Sequence, residues 1–320
     1  MKILIVGGGG YVGSRLVPKL LERKYHVGVI DTFMFGNHLP DQVVTTQKDV
    51  FDITHEDFVS YDCVIFLAGL SNDPMAEYDP AQNFVSNAAG PAYVTYMASK
   101  AGVKRCIYAS SCSVYGFTKD EVYDETNATV TNFPYGVSKL QGEKGVLHFE
   151  RDDFSVIVLR KGTISGHSPR MRFDLIANTM FKCAIREGTI HVSNPSIWRP
   201  ILAIEDAVTA YIRAIEAHSS VSGIFNVASV NCTVGHVADC VKEKVESVLG
   251  KKVELDINNI DDFRNYKVSI EKSNNMLSFH PKCGIHDITS ELCDNIDKYG
   301  DFSDINYYNI EVFKKWKKNK

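Results

Sequence analysis

The stretch VGGGGYVGSRL, residues 6–16, ends one apolar run and opens a helical pattern, and few folds have room for such a loop. Glycines there permit a tight turn, a close backbone approach to whatever lies above, and close packing of the next helix on the strand. The surrounding chain has a matching rhythm. Segments 2–8, 26–33, 62–69, 104–111 and 154–162 are near-continuous in Val, Ile, Leu, Phe or Cys, as strands covered on both faces must be. Helical patterns over 11–24, 80–102 and 134–150 lie between them. Strand, helix and strand repeated in this way predict right-handed βαβ units and an α/β fold with a doubly wound parallel sheet.

The glycines satisfy two spacings, Gly8–Gly10–Gly13 or Gly7–Gly10–Gly13. Either suits a dinucleotide pyrophosphate at a helix N-terminus, the Rossmann arrangement. Asp31 ends the next strand, where a carboxylate accepts hydrogen bonds from a ribose 2′-hydroxyl and repels a 2′-phosphate. No Arg or Lys follows it in DTFMFGN, so the expected cofactor is NAD. Beyond about residue 160 the texture changes: helical patterns at 172–188, 205–218 and 234–250 alternate with short strand-like pieces such as 224–229. The expected organisation is a dinucleotide-binding domain over 1–165, with a later return near 200–230. Residues 166–320 form mainly a smaller, interleaved C-terminal lobe for substrate.

A net charge of −4 gives no reason to expect nucleic acid or an anionic membrane as partner. No apolar run is long enough for a membrane span, and the N-terminus enters a strand directly. Eight cysteines are scattered without a CxxC pair, which predicts reduced thiols, a cytoplasmic location and no metal site. The terminal FKKWKKNK reads as a solvated, frayed tail.

Tyr135 and Lys139, four residues apart in NFPYGVSKLQGE, share one helix face, and Pro134 suits that helix's first turn. A phenol with a pKa of about 10 is a poor base at neutral pH. An ammonium one turn away is expected to lower that value, so that Tyr135 takes a hydroxyl proton while hydride leaves the same carbon.

With GGGGYVG, Asp31, KDV, LAGLS, SNAAG, SSCSVYG, PYGVSK and WRPILAIEDAVTA in hand, almost the whole chain resembles the extended short-chain dehydrogenases/reductases, in their nucleotide-sugar epimerase/dehydratase branch. The resemblance implies a catalytic set of Ser111, Tyr135 and Lys139. It implies a cofactor site of Gly7, Gly10, Tyr11, Val12, Gly13, Asp31, Asp49, Val50, Ala68, Gly69 and Asn87, with Tyr135 and Lys139 also touching NAD. For a nucleotide-diphosphate sugar it implies Ser111, Ser113, Asn178, Arg199 and Arg264, with Arg170, Arg172 and His167 as further candidates in the SGHSPRMRFDL loop. A homodimer through helices 80–102 and 134–150 is also implied.

The family's 4,6-dehydratases follow the Ser/Thr with an Asp–Glu pair, and its decarboxylases keep the Glu. Here those positions are Cys112 and Ser113. Without a carboxylate to serve as acid or base, elimination is disfavoured. The expected reaction is 4-epimerisation by transient oxidation at the sugar C4. A net 4-dehydrogenase or 4-ketoreductase is the alternative, and a dehydratase or a non-catalytic dinucleotide sensor ranks lower. Cys112 is either a second acid/base or, more simply, a small thiol filling space. Pro91 stands where relatives often have Thr, so the start of the nearby helix is expected to differ.

Overall fold

The computed structural model describes residues 1–250, 252–260 and 264–318. The strands are β1 (Lys2–Val6), β2 (His26–Asp31), β3 (Val44–Gln47), β4 (Cys63–Phe66), β5 (Arg105–Ser111), β6 (Phe117–Tyr123), β7 (Ser155–Lys161), β8 (Thr163–Ser165), β9 (Thr189–Ser193), β10 (Trp198–Ala203), β11 (Gly223–Val227), β12 (Val230–Thr233), β13 (Glu254–Asn258) and β14 (Asn265–Val268). Seven of them form one sheet in the order β11-β7-β5-β4-β1-β2-β3. Every neighbouring pair in it is parallel. This is the doubly wound Rossmann-type sheet.

Because strand side chains alternate, the two faces of this sheet carry two separate cores. Ile3, Ile5, Ile107 and Leu159 face helices Gly13–Glu22 and Ile204–Glu216. Leu4, Val64, Cys106 and Val158 face helix Gly90–Lys100 and the end of helix Pro134–Leu147. A third core gathers Phe173, Phe181, Ile201, Val237 and Leu292, and fills the lobe built from helices Ile176–Glu187, Val234–Leu249 and Ile285–Asp294. That lobe is edged by the small sheets β12-β10-β8 and β13-β9. No helix of the described residues is long and apolar enough to cross a membrane.

Two local expectations change. The helical pattern over 80–102 is broken into Pro80–Phe84, a π-turn at Val85–Ala89, and Gly90–Lys100. Pro91 has no N–H to give the Asn87 carbonyl one turn back, and the Tyr108 hydroxyl bonds that carbonyl instead, at 3.0 Å. The C-terminal FKKWKK does not fray either. It lies in helix Asn309–Lys318, where Phe313 is buried against Leu70 and Met75, and Lys317 pairs with Asp79. Ile310, Phe313 and Trp316 share one helix face, and that face is what docks.

Candidate active site

One cleft of about 670 Å³ runs across the carboxyl ends of β1, β2, β4, β5 and β7. Parallel sheets put their binding crevices at that edge. Gly7, Gly10, Tyr11, Val12, Gly13, Asp31, Asp49, Val50, Ala68 and Gly69 all line it, as do Ser111, Ser113, Tyr135 and Lys139. So do Arg170, Arg172, Arg199 and Arg264.

The glycine loop is shaped for a close guest. Gly7 has φ +85°, and a Cβ there would lie 2.2 Å from the Ala68 nitrogen. A Cβ at Gly13 would meet the Gly8 carbonyl at 2.1 Å, so that position has to be glycine for the helix to pack. Gly10 is different: a Cβ would touch nothing closer than 3.7 Å, because the residue faces the open cleft. Gly7–Gly10–Gly13 is therefore the spacing that lines the cleft, while a Cβ at Gly8 would run into the Val29 side chain.

Asp31 is fixed by two backbone donors, Gly9 N–H to Oδ2 and Phe33 N–H to Oδ1, each at 2.8 Å. Burial raises its pKa, and these bonds partly offset the rise. Lone pairs remain on both oxygens for a ribose hydroxyl. Arg170 lies close enough to feel the Asp31 charge and stacks 3.9 Å from the Phe35 ring centroid. Replacing Asp31 by Asn should therefore raise the NADP-to-NAD ratio of kcat/KM about tenfold or more, since the repulsive charge goes and the guanidinium stays. An unchanged ratio would mean that another group reads the ribose.

At the other end, Ser111 caps a short 3₁₀ turn. Its Oγ accepts from the Ser113 backbone N–H at 3.2 Å and from the Ser113 hydroxyl at 2.9 Å. It also bonds the Tyr135 phenol. The Lys139 ammonium donates to the Ala109 carbonyl at 3.1 Å and lies 5.8 Å from the Tyr135 ring centroid. Burial, followed by the nearby Asp73 charge, pushes the phenol well above its ordinary value, with Ser111 and Arg172 pulling the other way. The expectation that the Lys139 ammonium lowers it is corrected here: burial raises it, and the groups that pull it down are Ser111 and Arg172. Lys139 is itself pushed down to about 7 by desolvation and by Lys161.

That depression has a consequence for folding. The unfolded chain, with Lys139 near 10.4, binds more protons than the folded chain between about pH 7 and 10, so this group adds stability as pH rises through that window. Below about pH 7 the folded protein must hold the buried ammonium, and the cost is greatest there. For cofactor-free protein, Lys139→Met should raise the melting temperature by a few degrees at pH 6.5, an advantage that shrinks by pH 10. A pH-independent difference would contradict the shift.

Three predicted residues lie off the cleft. Asn87 lies beneath it: the two hydrogens of its amide nitrogen are shared among the Leu70 carbonyl, Asn83 Oδ1 and Ser138 Oγ at 2.8–3.2 Å, and its Oδ1 is buried beside Gly69. Asn178 is a strut. Its Oδ1 accepts from Gly166 N–H, and its nitrogen bonds the Arg172 carbonyl and the Tyr11 hydroxyl. It therefore braces the 166–172 loop against the glycine loop, with no donor left for a diphosphate. His167 packs on Tyr299, its Nδ1 3.2 Å from that hydroxyl, and burial lowers its pKa to about 4. Cys112 is buried with its Sγ 3.1 Å from the Arg160 carbonyl, and desolvation pushes its thiol far above neutrality. It fills space.

Among the lining residues that sequence reading missed are Lys161, Phe35, Asn309, Phe313 and Trp316. Lys161 ends an apolar run and reads as a strand edge; the others belong to a loop and to a helix taken for a tail.

A profile of the NAD-dependent epimerase/dehydratase family matches residues 3–228. The chain belongs to that family. Among its relatives is a probable UDP-arabinose 4-epimerase of Arabidopsis thaliana, 23% identical over an alignment of 263 residues that covers 71% of this chain and 64% of that protein. A UDP-glucuronic acid decarboxylase of the same plant is 26% identical over 88% of this chain and 85% of its own. The crystal structure of UDP-glucuronic acid 4-epimerase from Bacillus cereus, with UDP-glucuronic acid and NAD, superposes with a TM-score of 0.82 at 20% identity, covering 93% of this chain and 99% of that one. This last likeness concerns the fold. The family's cofactor is NAD, and the glycine cradle and Asp31 of this chain suit its pyrophosphate and adenosine ribose.

Proposed function

We propose that the chain is a nucleotide-sugar 4-epimerase. The observation that carries this reading is the floor of the cleft. Ser111, Tyr135 and Lys139 are assembled there, while the two residues after Ser111 offer an inert buried thiol and a hydroxyl, with no carboxylate. Such a set moves one proton at one carbinol and has no second acid or base for elimination. The relatives named for UDP-sugars support a UDP-sugar as the first substrate class to try.

When bound, NAD supplies a hydride acceptor and donor. In this reading Tyr135 takes the proton of the sugar 4-hydroxyl and returns it to the 4-oxygen after the 4-keto sugar has turned over in the cleft, so that C4 takes up hydrogen on its opposite face. Ser111 holds that oxygen in reach of the phenol. Lys139 offers positive charge to the phenolate and a donor to the cofactor ribose. Asp31 and the glycine loop hold the adenosine half. Arg199 and Arg264, which line the cleft and contact Trp198 and Asp73, hold the sugar-nucleotide diphosphate.

The test is incubation of the NAD-loaded protein with UDP-, GDP-, CDP- and dTDP-sugars, followed by product NMR and absorbance at the NADH band. A C4 epimer without accumulating NADH is the expected result. One NADH per 4-keto sugar released would replace this reading with a dehydrogenase.

A further inference from the structure

Nothing in the roles given to Ser111, Tyr135 and Lys139 uses the second lysine at this end of the cleft. Lys161 is the last residue of β7 and pairs in register with Ser111, the last residue of β5. Adjacent strands lie about 4.8 Å apart, so Lys161 flanks the hydroxyl that holds the reacting oxygen in the proposed reaction. It is partly buried, lines the cleft, and places its ammonium 6.0 Å from the Tyr211 ring centroid.

Among the described residues no carboxylate is seen to act on Lys161. The charged and titratable groups facing it are Lys139 from helix Pro134–Leu147, Arg172 from the 166–174 loop, Cys112 after β5, and Tyr211 from helix Ile204–Glu216. Two of these are cations and the other two are neutral. Arg172 already has its own acid, a two-bond fork to Asp174 at 2.8 and 3.0 Å. No carboxylate of the described residues pairs with Lys161, and a desolvated ammonium without a counter-charge is costly. The cofactor's pyrophosphate is not that counter-charge. It belongs at the glycine loop after β1, and β1 is three strands from β7 in the sheet, about 14 Å away. The arginines proposed for the sugar-nucleotide diphosphate, Arg199 and Arg264, are not among the charges that act on Lys161, although β10 runs beside the residues that follow it. What comes within reach of both Ser111 and Lys161 is the sugar itself.

We propose that Lys161 receives a carboxylate carried by the sugar, so that the preferred substrates are nucleotide sugar acids and not neutral hexoses. This rests on the nucleotide-sugar reading of the site. It makes Lys161 a specificity residue beside the catalytic set.

Affinities measured by calorimetry on NAD-loaded protein test it with a readout separate from activity, using UDP-glucuronic acid and UDP-glucose as probes. Wild-type protein should bind the acid about tenfold or more tightly than the neutral sugar. Lys161→Met should abolish that difference by weakening the acid alone, with UDP-glucose and NAD affinities unchanged. Equal wild-type affinities would overturn the assignment, and that arm needs no variant. So would a variant that weakens both sugars alike, or one that loses NAD, since the lysine would then be tuning the site or serving the cofactor. Binding of neither sugar would sink the site reading and this inference together. Retained acid selectivity with no epimer formed, or with carbon dioxide and a pentose formed, would sink the epimerase reading and leave the role of Lys161 standing.

Discussion

Tyr135→Phe should lower kcat by about 10²- to 10⁴-fold while NAD and nucleotide sugar still bind, because it deletes one acid/base and almost no volume. The ring keeps its place over Lys139, whose ammonium lies 5.8 Å from the Tyr135 centroid and stays tied to the Ala109 carbonyl. Ser111 keeps its bonds from Ser113, so the strand end does not rearrange. The loss should therefore fall on kcat and not on KM, and single-turnover kinetics with calorimetry of both ligands separate the two. Activity within tenfold of wild type would move the base elsewhere, with Lys161 the next group to remove. A large fall in NAD affinity would mean that the phenol binds the cofactor and does not move the proton.

The parts of the fold that were legible in the chain are those where one residue type alone meets the physical demand. Gly7 and Gly13 are forced by contacts near 2 Å, and long apolar runs mark strands covered on both faces. Asp31 and the Tyr135–Lys139 spacing were legible because their positions follow from those strands and helices. Other features depend on contacts between distant segments, and no local pattern carries them. β3 was missed because an edge strand of four mostly exposed, polar residues has no apolar run. Asn87 and Asn178 look like ligand residues in sequence, and only the packing shows their amide nitrogens engaged by Leu70, Ser138 and Arg172, and the Asn178 oxygen by Gly166. The helix at 309–318 shows the opposite error. Its lysines suggest a solvated tail, but Phe313 and Trp316 are spaced to dock on Leu70 and Met75 and so become part of the cleft wall.

Glu143→Ala should cost about 3–5 kcal/mol of folding stability, the largest loss expected from any single side chain near the site. Glu143 is 1% exposed and lies on the same helix as Tyr135 and Lys139. Its carboxylate takes two bonds from the Arg160 guanidinium of β7, at 2.8 and 2.9 Å, and one from the Ser110 hydroxyl of β5. Arg160 in turn bonds the Tyr115 hydroxyl at 2.9 Å and lies 5.0 Å from that ring centroid. Removing the carboxylate leaves a guanidinium, 3% exposed as a residue, without its counter-charge. Replacing both partners, as Glu143→Leu with Arg160→Met, should recover much of the loss, because a packed apolar pair does not carry the desolvation cost of two ions. Thermal or denaturant unfolding of the two single variants and the double variant measures this directly. A Glu143→Ala loss under 1 kcal/mol would mean that water reaches Arg160. The same cycle followed by kinetics separates stability from position. If the ion pair also sets the angle of the catalytic helix, the stable double variant will keep its fold and its NAD, yet lose kcat, since the Glu143 fork joins the helix of Tyr135 and Lys139 to β7, beside the Lys139–Ala109 bond that joins it to β5.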